Sequence, residues 1–508
     1  MTATLAGLFS AHSLDSPAIG APRRDWLSYG GLKDQAVAVR QTLHGLGIGR
    51  GDRVAIVLPN GPEMASAFVT VAQTTATAPL NPVYLEDDYA FYLDDLKAKA
   101  LIVAADYDGP ALGPAKRLGL NILRLEVPDG AAAGQFRLTS ESVTAQASEL
   151  DVPDSNDIAL ILHTSGTTSR PKIVPLSQSN VAASAQHIAG FLQLSAADRC
   201  LNVMPLFHIH GLVAAVSATL ASGGSIWCAP GFDALRFFGW LRDADPTWYT
   251  AVPTMHQAIL SRAERNADVI KNSRLRFVRS SSASLPPQVM MALAETFGAP
   301  VIESYGMTEA AHQMTSNPLP PGQQKPGSVG IAAGPQVRLA HESEAQLIDG
   351  TGEVVISGPN VTAGYEANPD GNAKSFFEAE GQRWFRTGDQ GAFDSDGFLH
   401  LTGRLKEIIN RGGEKVSPLE VDAVLMDHPA VAQCVTFAMP HAKLGEDIAA
   451  AIVLRSDSAA TEKDIRDFAT ERLAGFKVPR KVLFLEEIPK GATGKLQRIG
   501  LAEKLGLA

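Results

Sequence analysis

Residues 158–172 constrain the fold of this chain more than any other stretch. Residues 158–162 are all apolar and predict a short buried strand. A loop rich in hydroxyl groups around Gly166 follows, and Lys172 stands behind a proline at its end. Hydroxyl donors, free backbone N–H groups and one ammonium suit a polyphosphate. The spacing is not that of the mononucleotide P-loop, and an ordinary polar surface loop is the alternative interpretation.

Length and composition bound the class of protein. With 508 residues the chain exceeds the usual size of one core, so at least two domains are expected. An apolar content of 45% and a charged content of 19% are typical of a globular protein. The net charge of −10, without a basic block, argues against nucleic acid or an acidic membrane surface as a partner. Three isolated cysteines form no disulfide or zinc pattern, which predicts a reducing, cytoplasmic location.

One long segment, residues 200–232, contains no charged side chain. Prolines, glycines and histidines interrupt it, so its pattern differs from that of a membrane span. We expect a buried helix followed by a strand.

The fold class follows from alternating patterns. Short apolar runs alternate with helical patterns through the first four hundred residues, at 53–58, 100–104, 158–162, 276–280 and 300–304. This alternation predicts an α/β fold with mainly parallel, helix-covered sheets. Glycine-punctuated segments between 329 and 401 predict a small antiparallel or barrel-like piece. Ser284 is the expected N-cap of a helix that leads to the strand at 300–304.

A second, smaller unit is expected at the end of the chain. Apolar runs at 431–438, 448–454 and 482–485 surround a helix that should start at Thr461, with Asp464 completing a capping box. These patterns predict a large domain over residues 1–403 and a small α+β domain over residues 404–508.

Further motifs show a family resemblance. They lie at 163–172, 205–211, 280–284, 303–309, 386–389, 403–409 and 489–495. In this order they resemble the adenylate-forming enzymes, the superfamily of acyl-CoA synthetases, peptide-synthetase adenylation domains and luciferases. One departure is Ser169, where the family usually has glycine.

The resemblance implies ATP and Mg²⁺ as cofactors. Thr164 and Glu309 would hold the magnesium ion, because a hydroxyl and a carboxylate are hard oxygen ligands. The residues expected around the phosphates are Thr164, Ser165, Gly166, Thr167, Thr168 and Lys172. Those expected around adenine are Ser282, Ala283 and Ser284, with Tyr305 stacking on the ring. Further residues expected to bind the nucleotide are Glu303, Ser304, Gly306, Met307 and Thr308. Asp389 would hold the ribose hydroxyls, with Arg404 beside them or in a surface ion pair.

The resemblance also implies catalysis by Lys495 and coenzyme A as the acceptor. A mobile lysine would stabilise the transition state in which a carboxylate attacks the α-phosphate. The small domain would then rotate about Lys406, and Gly412 and Gly413 would line the pantetheine tunnel. For Lys477 and Arg480, contacts to CoA phosphates and a plain surface position are equally open. Acetylation of Lys495 would remove its charge, so a lysine acetyltransferase and a deacetylase are expected partners.

The acid substrate is expected to be short. Residues 279–285 and 305–320 resemble those of oxalyl-CoA synthetases, which implies that His208, Ser282 and His312 hold the second carboxylate of oxalate, with His210 as a helper. For each histidine, a structural role in the core is the alternative.

Other activities stay open. Malonyl-CoA synthetases resemble this pattern but carry arginine at the position of Ser304, which counts against malonate. A medium- or long-chain fatty acyl-CoA or aromatic acyl-CoA ligase would leave His312 as a polar group in an apolar tunnel. A luciferase-like oxygenase, a peptide-synthetase adenylation domain and an inactive nucleotide-binding module are the remaining alternatives.

Overall fold

Four helix-covered β-sheets build the chain over residues 4–140, 151–164, 171–455, 458–489 and 497–507, which the computed structural model describes. The first sheet has seven strands, and its four inner pairings are parallel. In spatial order the strands are Arg137–Ser140, Asn121–Glu126, Ala100–Ala104, Arg53–Val57, Ala76–Pro79, Ile158–Thr164 and Lys172–Ser177. The last two are antiparallel, so the chain returns beside Thr164 after the hydroxyl-rich loop.

The second sheet has nine strands, with a parallel centre and antiparallel edges. In spatial order they are Ile331–Ala332, His312–Ser316, Val301–Met307, Phe277–Ser280, Trp248–Ala251, Arg199–Asn202, Ser225–Cys228, Pro17–Ala21 and Arg24–Ser28. Both faces are apolar and helix-covered, which confirms the predicted mainly parallel α/β architecture.

The third sheet is entirely antiparallel and corresponds to the barrel-like piece expected between 329 and 401. Its strands are Leu347–Ile348, Gln336–Ala340, Thr351–Ser357, Gln382–Phe393, Phe376–Ala379 and Leu399–Arg404. Arg404 pairs with Asp389 across two of these strands, so the third sheet extends one residue past the boundary predicted at 403.

The fourth sheet forms the core of an α+β unit at the end of the chain. Its strands are Glu414–Val416, Ile409–Arg411, Gly445–Leu454, Val431–His441 and Lys481–Phe484. The three apolar runs expected here are strands, and the Glu462–Thr470 helix has the predicted capping box of Thr461 and Asp464. The chain passes from the third sheet to the fourth between 404 and 409; the domain bounds themselves stay a prediction.

Helices cover the sheets. The α-helices are Leu5–Phe9, Tyr29–Gly45, Pro62–Val71, Glu86–Asp95, Leu112–Arg117, Gln178–Phe191, Ala218–Ala221, Phe237–Ala244, Pro253–Leu260, Ala267–Lys271, Pro287–Phe297, Pro369–Ser375, Pro418–Met426, Glu462–Thr470 and Leu501–Lys504. Short 3₁₀ turns lie at Glu264–Asn266, Thr308–Ala310 and Gly475–Lys477.

The segment without charges is buried as a helix followed by a strand, as predicted. The helix begins with a π-helical stretch, His210–Ser217, and the strand is Ser225–Cys228. Within the described ranges, no helix combines the length and apolar content that crossing a membrane requires.

The expected N-cap at Ser284 is wrong. The helix begins at Pro287 with Pro286 as its N-cap residue, and no side chain caps it. Proline needs no partner for a backbone N–H at this position, so the helix starts without the serine.

One buried ion pair ties the end of the chain to the small α+β unit. Arg498 donates to the carboxylate of Asp422, and each side chain is only 14% exposed. Asp422 also accepts the backbone N–H of Thr436 at 2.6 Å, which joins the Pro418–Met426 helix to the Val431–His441 strand.

Replacing Asp422 by alanine should destabilise this unit by about 3 kcal/mol, because the buried Arg498 guanidinium would keep only the more distant Glu407 carboxylate, 3.9 Å away. Urea denaturation followed by circular dichroism measures the effect. The matched control is Asp467→Ala, which removes an exposed ion pair with Lys463 and should leave the transition in place. Equal transitions for both variants would contradict this role of Asp422.

Candidate active site

Three sheets meet at a group of polar side chains. Lys172 begins a strand of the first sheet, Glu309 follows the Val301–Met307 strand of the second, and Tyr365 lies in the loop after the Thr351–Ser357 strand of the third. The Lys172 Nζ atom is 4.1 Å from the centre of the Tyr365 ring. The Tyr365 hydroxyl donates to Glu309 Oε1 at 2.9 Å. A cation, a phenol and a carboxylate from separate sheets therefore form one cluster.

Glu309 is a buried carboxylate, 5% exposed. Burial raises its pKa, and the hydrogen bond from Tyr365 and the charges of Arg404 and Lys172 oppose that rise. Its backbone carbonyl accepts the Thr362 N–H at 2.7 Å. Glu309 is thus fixed at both ends and can offer a hard oxygen to a cation.

Lys172 and Thr164 lie side by side across an antiparallel strand pair. Burial lowers the pKa of Lys172, and Glu309 partly restores it. His163, just before Thr164, contacts Asp95 at 3.1 Å through Nε2. The predicted phosphate contacts Ser165, Gly166, Thr167 and Thr168 lie outside the described residues, so only the two ends of this loop are in view.

Tyr305, Asp389 and Arg404 form a second group. The Tyr305 hydroxyl donates to Asp389 Oδ2 at 2.5 Å. Arg404 Nε lies 3.3 Å from Asp389 Oδ1, and this carboxylate raises the pKa of Arg404. The sequence predicted separate contacts of these residues to a nucleotide; the structure adds that they contact each other.

Glu353 and Thr387 position Asp389, and the sequence analysis did not assign either of them to the site. Glu353 pairs with Arg386 at 2.5 Å and accepts the Gly388 N–H at 2.9 Å. The Asp389 N–H donates to the Thr387 hydroxyl at 3.1 Å. The motif at 386–389 is therefore a turn held by a carboxylate 33 residues away in sequence, which no local pattern reveals.

The other residues predicted to bind the nucleotide lie on the Val301–Met307 strand or in the loops beside it. Glu303 and Ser304 are buried; Glu303 accepts the Leu285 N–H at 2.8 Å and burial raises its pKa to about 8. Position 306 requires glycine for a steric reason, because a Cβ there would lie 1.8 Å from the His312 carbonyl oxygen. The more open members of the predicted set are Ser282, Ala283, Ser284, Met307 and Thr308.

The histidines predicted to hold the acid converge with Ser282. His210 Nδ1 lies 2.9 Å from Ser282 Oγ, and the His210 and His312 rings are 5.1 Å apart. His208 Nδ1 accepts the His210 N–H at 3.4 Å. His210, expected only as a helper, is the one that bonds to Ser282.

Backbone geometry marks the same place. Ser282 has φ of +74° and His312 has φ of +106°, values that side-chain-bearing residues rarely adopt. Such strain collects at functional sites. Both residues were predicted to contact the acid, and that contact stays a prediction.

Arg279 is a pocket residue that the sequence analysis missed. It is fully buried, and burial lowers its pKa to about 9. It lies 3.3 Å from His210 Nε2 and from Thr250 Oγ1, and 3.4 Å from Gln313 Oε1. The quoted stretch 279–285 contained this arginine, but a strand arginine is normally read as a surface residue.

Residues of the small unit were predicted from the resemblance alone. Gly412 and Gly413 were expected in a strand; they form the two-residue turn between Ile409–Arg411 and Glu414–Val416, with φ of +63° and +98°. A hairpin turn of this kind requires glycine, so the absence of a Cβ has a local cause. Lys406 lies in the turn between the third and fourth sheets.

The two weak CoA candidates are engaged in surface pairs. Lys477 pairs with Glu420 at 2.6 Å, and Arg480 contacts His441 at 2.8 Å. These contacts favour the surface interpretation. Lys495 lies outside the described residues. Among the residues that are described, no three His, Cys, Asp or Glu side chains gather as a metal site.

Family models match most of the chain. A model described as "AMP-binding enzyme" matches residues 9–366, and one described as "AMP-binding enzyme C-terminal domain" matches residues 420–495.

Named relatives also match most of the chain. An oxalate–CoA ligase of Arabidopsis thaliana is 46% identical over 458 residues, or 89% of this chain and 88% of that protein. One of Saccharomyces cerevisiae is 40% identical over 477 residues, or 89% and 87%. The crystal structure of ATP-bound MatB from Rhodopseudomonas palustris has a TM-score of 0.86 at 28% identity and 99% coverage of both chains.

Removing the Tyr305 hydroxyl should weaken AMP binding. The Tyr305→Phe variant keeps the ring but frees Asp389 from its hydrogen bond, so the dissociation constant should rise about tenfold, the factor for one hydrogen bond to a charged group. Isothermal titration calorimetry with AMP measures it.

The matched control is Tyr249→Phe, a buried tyrosine of the same sheet whose hydroxyl lies 3.4 Å from His256. Its dissociation constant for AMP should equal that of the wild type. An unchanged constant in Tyr305→Phe would show that the contact between Tyr305 and Asp389 does not serve the nucleotide.

Proposed function

Because the chain belongs to the AMP-binding enzyme family, we propose that it is an AMP-forming carboxylate–CoA ligase whose acid substrate is oxalate. The resemblance expected from the seven motifs and the α/β fold are confirmed by the family match and by the TM-score of 0.86. Two oxalate–CoA ligases, at 46% and 40% identity, support the choice of acid.

One structural observation carries the choice of oxalate. The cluster of His210, Ser282 and His312 is buried or half-buried and polar, and Arg279 lies behind it. Polar groups are costly beside an aliphatic chain but are useful to a short acid with a second carboxylate. This counts against a fatty acyl-CoA ligase.

The reaction has two steps. In the first step, an oxygen of one oxalate carboxylate attacks the α-phosphorus of ATP. The bond between the α-phosphorus and the oxygen that bridges it to the β-phosphorus breaks, so oxalyl-adenylate and pyrophosphate form. In the second, the thiol sulfur of CoA attacks the oxalyl carbonyl carbon, AMP leaves with the bonding electron pair, and the thiol proton passes to solvent. ATP and CoA are therefore substrates.

Within this scheme, Asp389 and Tyr305 orient the nucleotide, and Lys172 adds positive charge near its phosphates. Lys495 would stabilise the negative charge that builds up between the carboxylate and the α-phosphate in the first step. Rotation of residues 404–508 about Lys406 would then bring a different face of the small domain to the site, and Gly412 and Gly413 beside the pantetheine arm.

Glu309 and Thr164 are suitable holders of Mg²⁺. A buried carboxylate with a raised pKa gains most from a cation, and a hydroxyl at a strand end is a hard oxygen ligand. When bound with ATP, Mg²⁺ would neutralise phosphate charge. The residues of this chain fix where that charge lies, through Tyr365 and Lys172.

Two further expectations belong to this proposal. Acetylation of Lys495 by a lysine acetyltransferase would abolish the first step and spare the second, and a deacetylase would reverse it. A cytoplasmic location stays a prediction from the cysteine content.

A substrate panel tests the proposal. Pyrophosphate release with oxalate, malonate, succinate, acetate and a long-chain acid should be fastest with oxalate, and AMP should accumulate when CoA is present. The Lys495→Ala variant should release pyrophosphate at least about a hundredfold more slowly than the wild type, and so should enzyme acetylated at Lys495. In both, a group that stabilises the charge of the transition state is removed.

The matched control is Lys504→Ala, another lysine near the end of the chain, which should keep the wild-type rate. If the enzyme reacts faster with malonate or with a long-chain acid, that acid and not oxalate is its substrate. Oxygen consumption with the acyl-adenylate would identify an oxygenase, and full activity of Lys495→Ala would remove that lysine from the mechanism.

The pH dependence of the reaction rate should reflect the protonation of Glu309. Its pKa is raised, so at limiting Mg²⁺ the rate should rise with pH as the carboxylate loses its proton. Tyr365→Phe removes a donor that stabilises the ionised form, so the acid limb should move to higher pH. At pH 6 its kcat/KM for ATP should be about tenfold lower than that of the wild type, and the two should converge at high pH.

Tyr89→Phe is the control, since the Tyr89 hydroxyl donates to the Asn81 carbonyl, at 2.8 Å, and not to Glu309. Its profile should match the wild type. A Tyr365→Phe profile that also matches would rule out this role of Tyr365.

A further inference from the structure

Arg279 is a buried cation that pairs with no carboxylate among the described residues. It lies on the Phe277–Ser280 strand and none of its surface is exposed. Its guanidinium contacts the neutral acceptors of Thr250 and Gln313, and His210. In the described part of the chain, no ion pair joins Arg279 to a carboxylate. A buried charge in this state is costly, and an anion close by would compensate it.

The contact with His210 determines which ring nitrogen carries the proton. Arginine has donors and no acceptor, so His210 Nε2, 3.3 Å from Arg279 Nη1, must be the acceptor. The Thr250 hydroxyl, 2.6 Å from the same Nε2, can donate to it as well. The proton of the neutral ring is therefore on Nδ1.

That tautomer sets the direction of the next hydrogen bond. His210 Nδ1–H donates to Ser282 Oγ across 2.9 Å. Since the serine oxygen accepts from His210, its own hydroxyl proton is free to donate to another group. Ser282 is half-buried, has a strained backbone and lies beside His210, whose ring is 5.1 Å from that of His312.

We propose that Arg279 is a positioning residue that makes the acid pocket specific for a dianion. It orders the hydrogen bonds from His210 to Ser282 so that the serine donates to the second carboxylate, and its positive charge is compensated by that carboxylate. This inference rests on the proposed function and adds to it the reason why a short diacid is preferred over a monoacid.

The position of the charge explains the absence of an arginine at 304. The Arg279 Cα pairs with that of Ile302 on the neighbouring strand, two residues before Ser304. The cation therefore lies one strand away, behind His210 and Thr250, and acts on the acid through them. This leaves the pocket open to a short acid, whereas an arginine at 304 would project its own long side chain.

Steady-state kinetics test the role of Arg279. Arg279→Gln should raise the KM for oxalate about 100-fold, because a hydrogen-bonded charge is lost, and leave the KM for ATP unchanged. Arg279→Lys keeps the charge and should fall between the wild type and Arg279→Gln. The preference for oxalate over acetate should drop in the same order.

The matched control is Arg276→Gln, just before the same strand, which pairs with Asp198 and not with His210. Its KM for oxalate should equal the wild-type value. If Arg279→Gln does not fold, Thr250→Val takes its place, since it removes one donor to His210 without changing the volume; its KM should rise about tenfold. An unchanged KM for oxalate in the folded variant, or an equal rise in the KM for ATP, would overturn the proposal.

A readout without substrate separates this inference from the proposed function. Two-bond ¹H–¹⁵N spectra of histidine-labelled wild type, with His210 assigned by His210→Gln, should show the proton on Nδ1 from pH 6 to 8. The charged or titratable groups that contact His210 within the described residues include Arg279, His312 and His208. A protonated ring, or a proton on Nε2, would overturn the role of Arg279 even if oxalate is the substrate. Inactivity of the wild type with oxalate would overturn the proposed function while the spectra still decide the tautomer.

Discussion

The burial of charged side chains where three sheets meet is the constraint on which the rest of the structure depends. Glu309 is stabilised by cations from the other two sheets, Lys172 and Arg404, and by the Tyr365 hydroxyl. Asp389, on the third sheet, meets Tyr305 of the second. Asp389 and Arg404 pair within the third sheet. The contacts of Glu309 and of Tyr305 join different sheets, so the complete site exists only when the sheets are assembled. Apolar packing holds the sheets together, and these polar contacts fix how they fit.

Much of the fold could be predicted from the sequence, because the local spacing of apolar residues indicates where strands and helices lie. The apolar runs at 100–104 and 158–162, and the capping box at Thr461, appear in the structure where they were expected. The helix expected to start at Ser284 starts instead at Pro287, since proline itself can open a helix. The order of strands within each sheet could not be derived, because pairing joins residues far apart in sequence.

The sequence indicated several residues of the candidate site but only some of the contacts between them. Glu309, Tyr305 and Asp389 were expected from motifs, whereas Tyr365, Glu353 and Arg279 were not. Each of these three acts through a partner on another strand or loop. A lone arginine in a strand carries no local signal, and only the fold shows that it is buried beside a histidine.

The close approach of Gly306 to the His312 carbonyl oxygen limits how such a chain can diverge. Two groups of residues, Tyr305 and Glu309 of the nucleotide site and His312 of the acid site, lie within eight residues of chain around this contact. Any side chain at 306 would displace both at once, so a new substrate cannot be accommodated by enlarging this wall. Diversification towards bulkier acids must instead proceed through the neighbouring strand and the helix that begins at His210, which can vary while the nucleotide platform is preserved.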